Sequence, residues 1–327
     1  MEKIDLKDKK IIFHLLQDSR QSFSKIGKLV GQSKELVSYR VKRLQNKNII
    51  QKFTTIIDDT KLGFFGLSYY YKFDNVNPSI RDEMINLLVD SKFTRYVAST
   101  DGKYDMIVWY YLYNQEIYTN FYEKLLRKYR KYLAKQILTG DIDVELFPYD
   151  FLLSDKERNI KQIKSKKSVS KWFVIEKIDD IDISILKELS KNPTIKIIEL
   201  AKNLELSANI IKYRIKKLIE KGIILGFSVI IDWLKIGYRY YTLEIYLNDY
   251  EQKNNILKYL ISNSFLVKIF KTYGHGVDIK CDIIQQDIDH LRNTIRDLTN
   301  VFPNSIKNVD YFNTYKINKL DYLPPLK

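Results

Sequence analysis

The chain has one cysteine, Cys281, in 327 residues. That excludes an intrachain disulfide and a thiolate metal centre, and makes a reducing cytoplasm the expected setting. Histidine is almost as scarce: His14, His275 and His290 are the whole supply, and none has zinc-ligand spacing. Glycine and proline are few, 11 and 6, beside abundant Ile, Lys, Asn and Tyr, a bias of the coding genome. No Walker loop, Rossmann glycine fingerprint or G-x-S-x-G elbow occurs, so neither cofactor nor metal nor catalysis is expected. No apolar run is long enough to span a membrane, and residues 1–12 are charged throughout, unlike a signal peptide. Acidic residues are outnumbered, 40 against 55 Lys and Arg, giving a formal charge of +15. A polyanionic partner follows, nucleic acid before membrane.

What the sequence does have is a repeat. Ser33-Lys34-Glu35-Leu36-Val37-Ser38-Tyr39-Arg40-Val41-Lys42-Arg43-Leu44 returns 174 residues later as Ser207-Ala208-Asn209-Ile210-Ile211-Lys212-Tyr213-Arg214-Ile215-Lys216-Lys217-Leu218. Each copy predicts a helix capped by its serine hydroxyl. Val37, Val41 and Leu44, and likewise Ile211, Ile215 and Leu218, fall at i, i+4 and i+7 and form a buried stripe. The opposite faces carry Glu35, Ser38, Tyr39, Lys42 and Arg43, and Asn209, Lys212, Tyr213, Lys216 and Lys217. Each basic stretch, counted from Lys34 to Lys47 and from Asn209 to Lys221, has a net charge of +4. Lys and Arg suit phosphates, and Asn, Ser and Tyr suit base edges, as on a helix that enters a major groove. Arg40 and Arg214 border the buried stripe, where either orienting the helix or gripping a phosphate is open to them.

The match runs without a gap from about residue 8 to 64. Asp8, Ile11, Ile12 and Leu15 return as Asp182, Ile185, Leu186 and Leu189. An ungapped match of that length marks an internal duplication. A first amphipathic helix at 4–18, a short second helix ending at Gly31, the basic helix, and a strand at 51–58 make a winged helix-turn-helix pattern. A βαββαβ pattern follows. Its strands are 67–73, 94–99, 106–112 and 142–147, and its helices 78–89 and 116–132. Residues 154–177 are crowded with Lys156, Arg158, Lys161, Lys164, Lys166, Lys167 and Lys171, and read as a basic linker, helical at its start. The programme then repeats. The expected fold class is α+β with a pseudo-two-fold. Its segments are winged helix-turn-helix domains at 1–63 and 178–237, and ferredoxin-like βαββαβ domains at 64–153 and 238–327.

With these features in hand, the chain resembles the Lrp/AsnC family, the leucine-responsive and feast-famine transcriptional regulators. The Asp8–Leu15 helix ahead of the basic helix, the Ile56-Ile57-Asp58 and Lys61-Leu62-Gly63 link, and the Gly102-Lys103-Tyr104-Asp105 turn carry the resemblance. Apart from the linker it covers nearly the whole chain, twice. Members usually have one DNA-reading and one effector (RAM) domain per chain, pair sheet to sheet, and in many cases bind an amino acid between subunits. The resemblance therefore implies two subunits fused into one polypeptide. It also implies double-stranded DNA as partner and an amino-acid-like effector, with further oligomers open. The DNA-facing residues would be Lys34, Glu35, Ser38, Tyr39, Arg40, Lys42, Arg43, Asn209, Lys212, Tyr213, Arg214, Lys216 and Lys217. The reading faces differ, so imperfectly palindromic half-sites are expected.

The effector turn departs from the family in its second copy, Gly274-His275-Gly276-Val277-Asp278, which is one residue longer and lacks the tyrosine. Strand alternation puts Asp105, Ile107, Trp109 and Tyr111 on one face and Asp278, Lys280, Asp282 and Ile284 on its counterpart. Candidate effector residues are Gly102, Tyr104, Asp105, Gly274, His275, Asp278, Lys280 and Asp282. The competing reading is a satisfied Lys280–Asp282 pair at an interface. Two other functions share the scaffold: a sirohaem decarboxylase, with His275 the one residue suited to acid–base work, and an architectural protein that binds DNA without sequence preference.

Overall fold

The computed structural model describes residues 2–160, 166–169, 174–273 and 276–326. In chain order the first copy contains α1 (Leu6–Gln17), α2 (Phe23–Val30), α3 (Lys34–Asn46), β1 (Ile50–Ile57), β2 (Phe65–Phe73), α4 (Pro78–Asp90), β3 (Thr94–Gly102), β4 (Met106–Leu112), α5 (Gln115–Tyr129) and β5 (Leu133–Leu146). A short helix α6 (Asp155–Ile160) and strand β6 (Lys166–Val169) follow. The second copy contains α7 (Asp180–Lys191), α8 (Ile197–Asn203), α9 (Ala208–Glu220), β7 (Ile224–Ile231), β8 (Arg239–Leu247), α10 (Lys253–Ile261), β9 (Leu266–Tyr273), β10 (Ile279–Gln285), α11 (Ile288–Val301) and β11 (Ile306–Leu320). They form two compact units. One holds 1–62, 147–167 and 174–238, and the other 63–146, 168–173 and 239–327.

The first unit contains both helix-turn-helix modules. α1 and α7 each begin at an aspartate, Asp5 or Asp179, that closes a capping box with Asp8 or Asp182. Ser33 and Ser207 accept from the backbone N–H of Leu36 and Ile210, the caps that the sequence signalled. Val37, Val41 and Leu44, and Ile211, Ile215 and Leu218, are buried. β1 and β7 pair antiparallel as a two-stranded sheet shared by the copies. α1 packs on β7 and α7 on β1, so each module completes the other's core. Ser228 Oγ donates to the Leu16 carbonyl at 3.0 Å, and Thr55 Oγ1 to the Leu189 carbonyl at 2.6 Å.

The sequence reading placed residues 147–153 with the first βαββαβ domain, but they belong to the first unit. Phe151, Leu152 and Leu153 are buried there. Tyr149 stacks on Trp233 at 5.3 Å, and Phe151 meets Tyr238 at 5.0 Å. An aromatic cluster captures this stretch, and strand patterning alone did not show it. The expected linker also starts with structure, helix α6. Lys161, Lys164 and Lys171 lie outside the described residues.

In the second unit the strands run β2-β4-β3-β11-β8-β10-β9-β5, and β5 returns to β2. Two four-stranded sheets thus join at both edges into a ring, which leaves few free edges. The joins are made by two strands longer than expected. β5 pairs with β2 up to Gly140 and with β9 from Gly140 onward. β11 pairs with β8 over Ile306–Thr314 and with β3 over Phe312–Leu320. Alternation decides which residues face which core. Tyr69, Tyr71, Met106, Val108 and Tyr110 pack under α4 and α5, while Tyr70, Tyr96, Ile107 and Tyr104 meet Phe312 of the second copy.

Candidate nucleic-acid interface

The two basic helices expose equivalent faces. In α3, Lys34, Glu35, Tyr39 and Lys42 are exposed and Ser38 is half-buried. In α9, Asn209, Lys212, Tyr213, Lys216 and Lys217 are exposed. Lys217 Nζ sits 4.9 Å from the Tyr213 ring centre, and Lys216 is 3.6 Å from Glu220. The three arginines among the candidates behave differently. Arg40 Nη1 bonds Asp5 and Asp8, both at 2.8 Å, and Arg43 Nη2 bonds Asp8 at 2.5 Å. Arg214 bonds Asp179 and, at 3.2 Å, Asp182. Against the cost of burial, the bonds to Asp5 and Asp8 push the Arg40 pKa up. The backbone bond from Asp182, and then Arg214, hold Asp179 below its ordinary value. Asp8 is 1% exposed, so these arginines fasten the recognition helix to the first helix of its module. Of the two roles open to Arg40 and Arg214, these ion pairs supply the contacts of the first, orienting the helix. The signal was in the sequence, because Asp8 and Arg40 both return at the same spacing, as Asp182 and Arg214.

The described candidate effector residues lie in the second unit. Gly102 has φ +101°, and a Cβ there would meet the Tyr311 carbonyl of β11 at 3.2 Å, so glycine permits the β3–β11 join. Tyr104 is buried against Tyr70 and Phe312. Asp105 accepts the Phe73 backbone N–H at 2.8 Å, and Asp278 accepts that of Leu247 at 2.7 Å. The two aspartates thus do the same job of closing a strand turn. Lys280 donates to the Tyr70 hydroxyl and lies 4.5 Å from the Phe270 ring centre. Asp282 accepts from Tyr240 at 2.6 Å and from Thr242 at 2.7 Å. So Lys280 reaches an aromatic residue of the other sheet, Tyr70 rather than Trp109 or Tyr111, while Asp282 is held by Tyr240 and Thr242 of its own sheet. Gly274 and His275 lie outside the described residues. His290 is exposed and bonds Asp287 at 2.7 Å.

Sequence reasoning missed Lys103. Its Nζ reaches Glu244 at 2.6 Å, Asp310 at 2.7 Å and the Tyr246 hydroxyl at 2.7 Å, all in the second copy. Burial opposes its charge, but the bonds to Asp310, Glu244 and Tyr246 outweigh that and raise its pKa. The turn that carried the family resemblance therefore ties the copies together. A groove of about 690 Å3 opens elsewhere, between α4 and β11, with Arg81, Asp82, Asn86, Lys316 and Asn318 among its lining residues. Among the described residues no cluster of His, Cys, Asp and Glu could hold a metal, and no helix is long and apolar enough to cross a membrane.

The winged helix-turn-helix DNA-binding family matches residues 4–51 and 178–224, one match per module. The HTH-type transcriptional regulator LrpA of Bacillus subtilis is 33% identical over 103 residues, 30% of this chain and 74% of LrpA. This chain belongs to the Lrp/AsnC family. FL11 of Pyrococcus furiosus, another HTH-type transcriptional regulator, is 32% identical over 114 residues, 35% of this chain and 74% of FL11. Among solved structures, the siroheme decarboxylase NirDL covers 98% of this chain and 94% of its own, with a TM-score of 0.61 and 10% identity. At that identity the likeness carries the fold alone. With the Lrp/AsnC membership of the chain established, the tandem α+β architecture is that of two family subunits in one polypeptide.

Proposed function

We propose that this Lrp/AsnC chain is a sequence-specific transcriptional regulator that holds one DNA duplex with both of its recognition helices, α3 and α9, as a dimer made within one chain. One observation carries the reading. The β1–β7 pair relates the two modules by a local two-fold, so the exposed faces of α3 and α9 obey the symmetry of a duplex. Fusion removes the cost of bringing two subunits together. Glu35 and Asn209 occupy equivalent sites, and their chemistry differs: a carboxylate accepts from cytosine N4, and an amide pairs with adenine. The half-sites therefore differ at the base that Glu35 and Asn209 meet and are not a strict palindrome. Lys42 and Lys216 supply phosphate contacts. Selection from a random duplex pool, followed by titration at two salt concentrations, tests this. One enriched sequence and a steep salt dependence are expected, and Lys42→Ala or Lys216→Ala should lower the salt slope by about 1. Salt-dependent binding with no enriched sequence favours the architectural reading instead.

The family's amino-acid effector finds a matching chemistry in the groove between α4 and β11, where Arg81 or Lys316 suits a carboxylate and Asp82 an ammonium. A thermal-shift panel of amino acids tests it, with no shift for any of them as the contrary result. The full-length likeness to a siroheme decarboxylase gives the enzyme reading a direct test. Binding of sirohaem with a visible absorption band would favour it over regulation.

A further inference from the structure

Both recognition helices present an aliphatic side chain to solvent at the same place. Leu36 is 39% exposed and Ile210 is 41% exposed. Each is the third residue of its helix, with its backbone N–H held by the capping serine. Three residues on, Tyr39 is 61% exposed and Tyr213 is 55% exposed. Residues at i and i+3 adjoin on a helix surface, so each helix carries an aliphatic–tyrosine pair in its first two turns. A single exposed aliphatic residue needs no explanation. Here the feature occurs twice, at equivalent positions, while neighbours on the same face have diverged from Glu35 to Asn209 and from Ser38 to Lys212. Both pairs are ringed by exposed lysines: Lys34 and Lys42 in α3, and Lys212, Lys216 and Lys217 in α9. An apolar patch framed by cations suits a polyanion with apolar groups on its surface. In a DNA major groove the apolar group is the thymine 5-methyl. The N-terminal turns of a recognition helix are the part that reaches base edges.

We propose that Leu36 and Ile210 each read the 5-methyl group of a thymine, so that the two half-sites share a thymine at one equivalent position. This rests on the regulator reading and names the base that the reading leaves open. The half-sites then agree at the Leu36 and Ile210 positions and differ at the Glu35 and Asn209 positions. Tyr39 and Tyr213 flank the methyl and help to exclude water from it.

The test uses the full chain and a duplex enriched from a random pool. In that duplex, deoxyuridine replaces thymidine one site at a time, which deletes only the methyl. Loss of one buried methyl is expected to weaken binding about 3- to 5-fold, at one position in each half-site. Leu36→Ala should abolish the thymidine–deoxyuridine difference in one half-site and leave the other intact, and Ile210→Ala should do the reverse. Both residues are exposed, so unfolding curves matching wild type are expected. Equal binding of thymidine and deoxyuridine duplexes by wild type overturns the inference and leaves the regulator reading standing. A difference that survives both alanine variants also overturns it. Failure to enrich any sequence overturns the regulator reading itself.

Discussion

Thr54 of β1 lies directly opposite Ser228 of β7, and the two are equivalent residues, 174 apart. Its neighbours keep the same symmetry. Phe53 faces Val229, and Thr55 faces Phe227. The Asp58 N–H donates to the Ile223 carbonyl at 2.9 Å, and the Asp232 N–H to the Ile49 carbonyl at 2.9 Å, again as equivalents. An antiparallel pair centred on equivalent residues has a two-fold axis through its midpoint. The modules are thus related as the halves of a homodimer would be.

Arg40 is expected to act on stability rather than on DNA. Asp8 is buried, and in Arg40→Ala it keeps Arg43 and the Asp5 backbone N–H but loses one charged bond, at a cost of roughly 1–3 kcal/mol. Arg40→Ala with Arg43→Ala leaves that buried carboxylate without either arginine and should cost about 3–5 kcal/mol. Denaturant unfolding measures both. An unchanged midpoint with weakened DNA binding would return Arg40 to the reading face.

Lys103→Met should destabilise the second unit by about 3 kcal/mol, because Glu244, 1% exposed, loses its cation. Adding Glu244→Gln to that variant removes the charge that Lys103 balanced and should recover part of the loss. A double variant no more stable than Lys103→Met contradicts this account of the turn.

Glu157 sets an acid limit on the first unit. Burial raises its pKa, but Lys10 and Ser154 overcome that and hold it at about 2, below the ordinary 4.5. A depressed carboxylate stabilises the fold above its unfolded pKa, and that stabilisation fades as pH falls from about 4.5 to about 2. Glu157→Gln should flatten this part of the pH–stability curve. An acid limb identical to wild type would show that the Lys10 contact contributes nothing.

Glu205, just past the Leu204 cap of α8, has φ +53°, where the first copy has Gly31 at +66°. A side chain in the left-handed region costs about 1–2 kcal/mol, and glycine's extra unfolded freedom returns part of that. Glu205→Gly should therefore raise stability by roughly 0.5–1 kcal/mol. A lowered midpoint in thermal unfolding contradicts it.

Both recognition helices were legible in the sequence because capping and a stripe at i, i+4 and i+7 are local signals. Ser33, Val37 and Val41 needed no partner to be understood. Long-range pairing was not legible. β5 begins at Leu133 because its first half completes one sheet and its second half the other, and no single alternation marks a strand shared by two sheets. Lys103 looked like part of a ligand turn because its partners, Glu244 and Asp310, lie more than 140 residues away. The two faces of β4 were predicted correctly, but what filled the space between the sheets depended on side chains from both copies.

The most direct measurement is a footprint with stoichiometry on the enriched duplex. One chain per duplex, protecting two unlike half-sites whose centres are about 10 bp apart on one face, is the predicted result. Two chains per duplex, or protection of a single half-site, would contradict the fused pair.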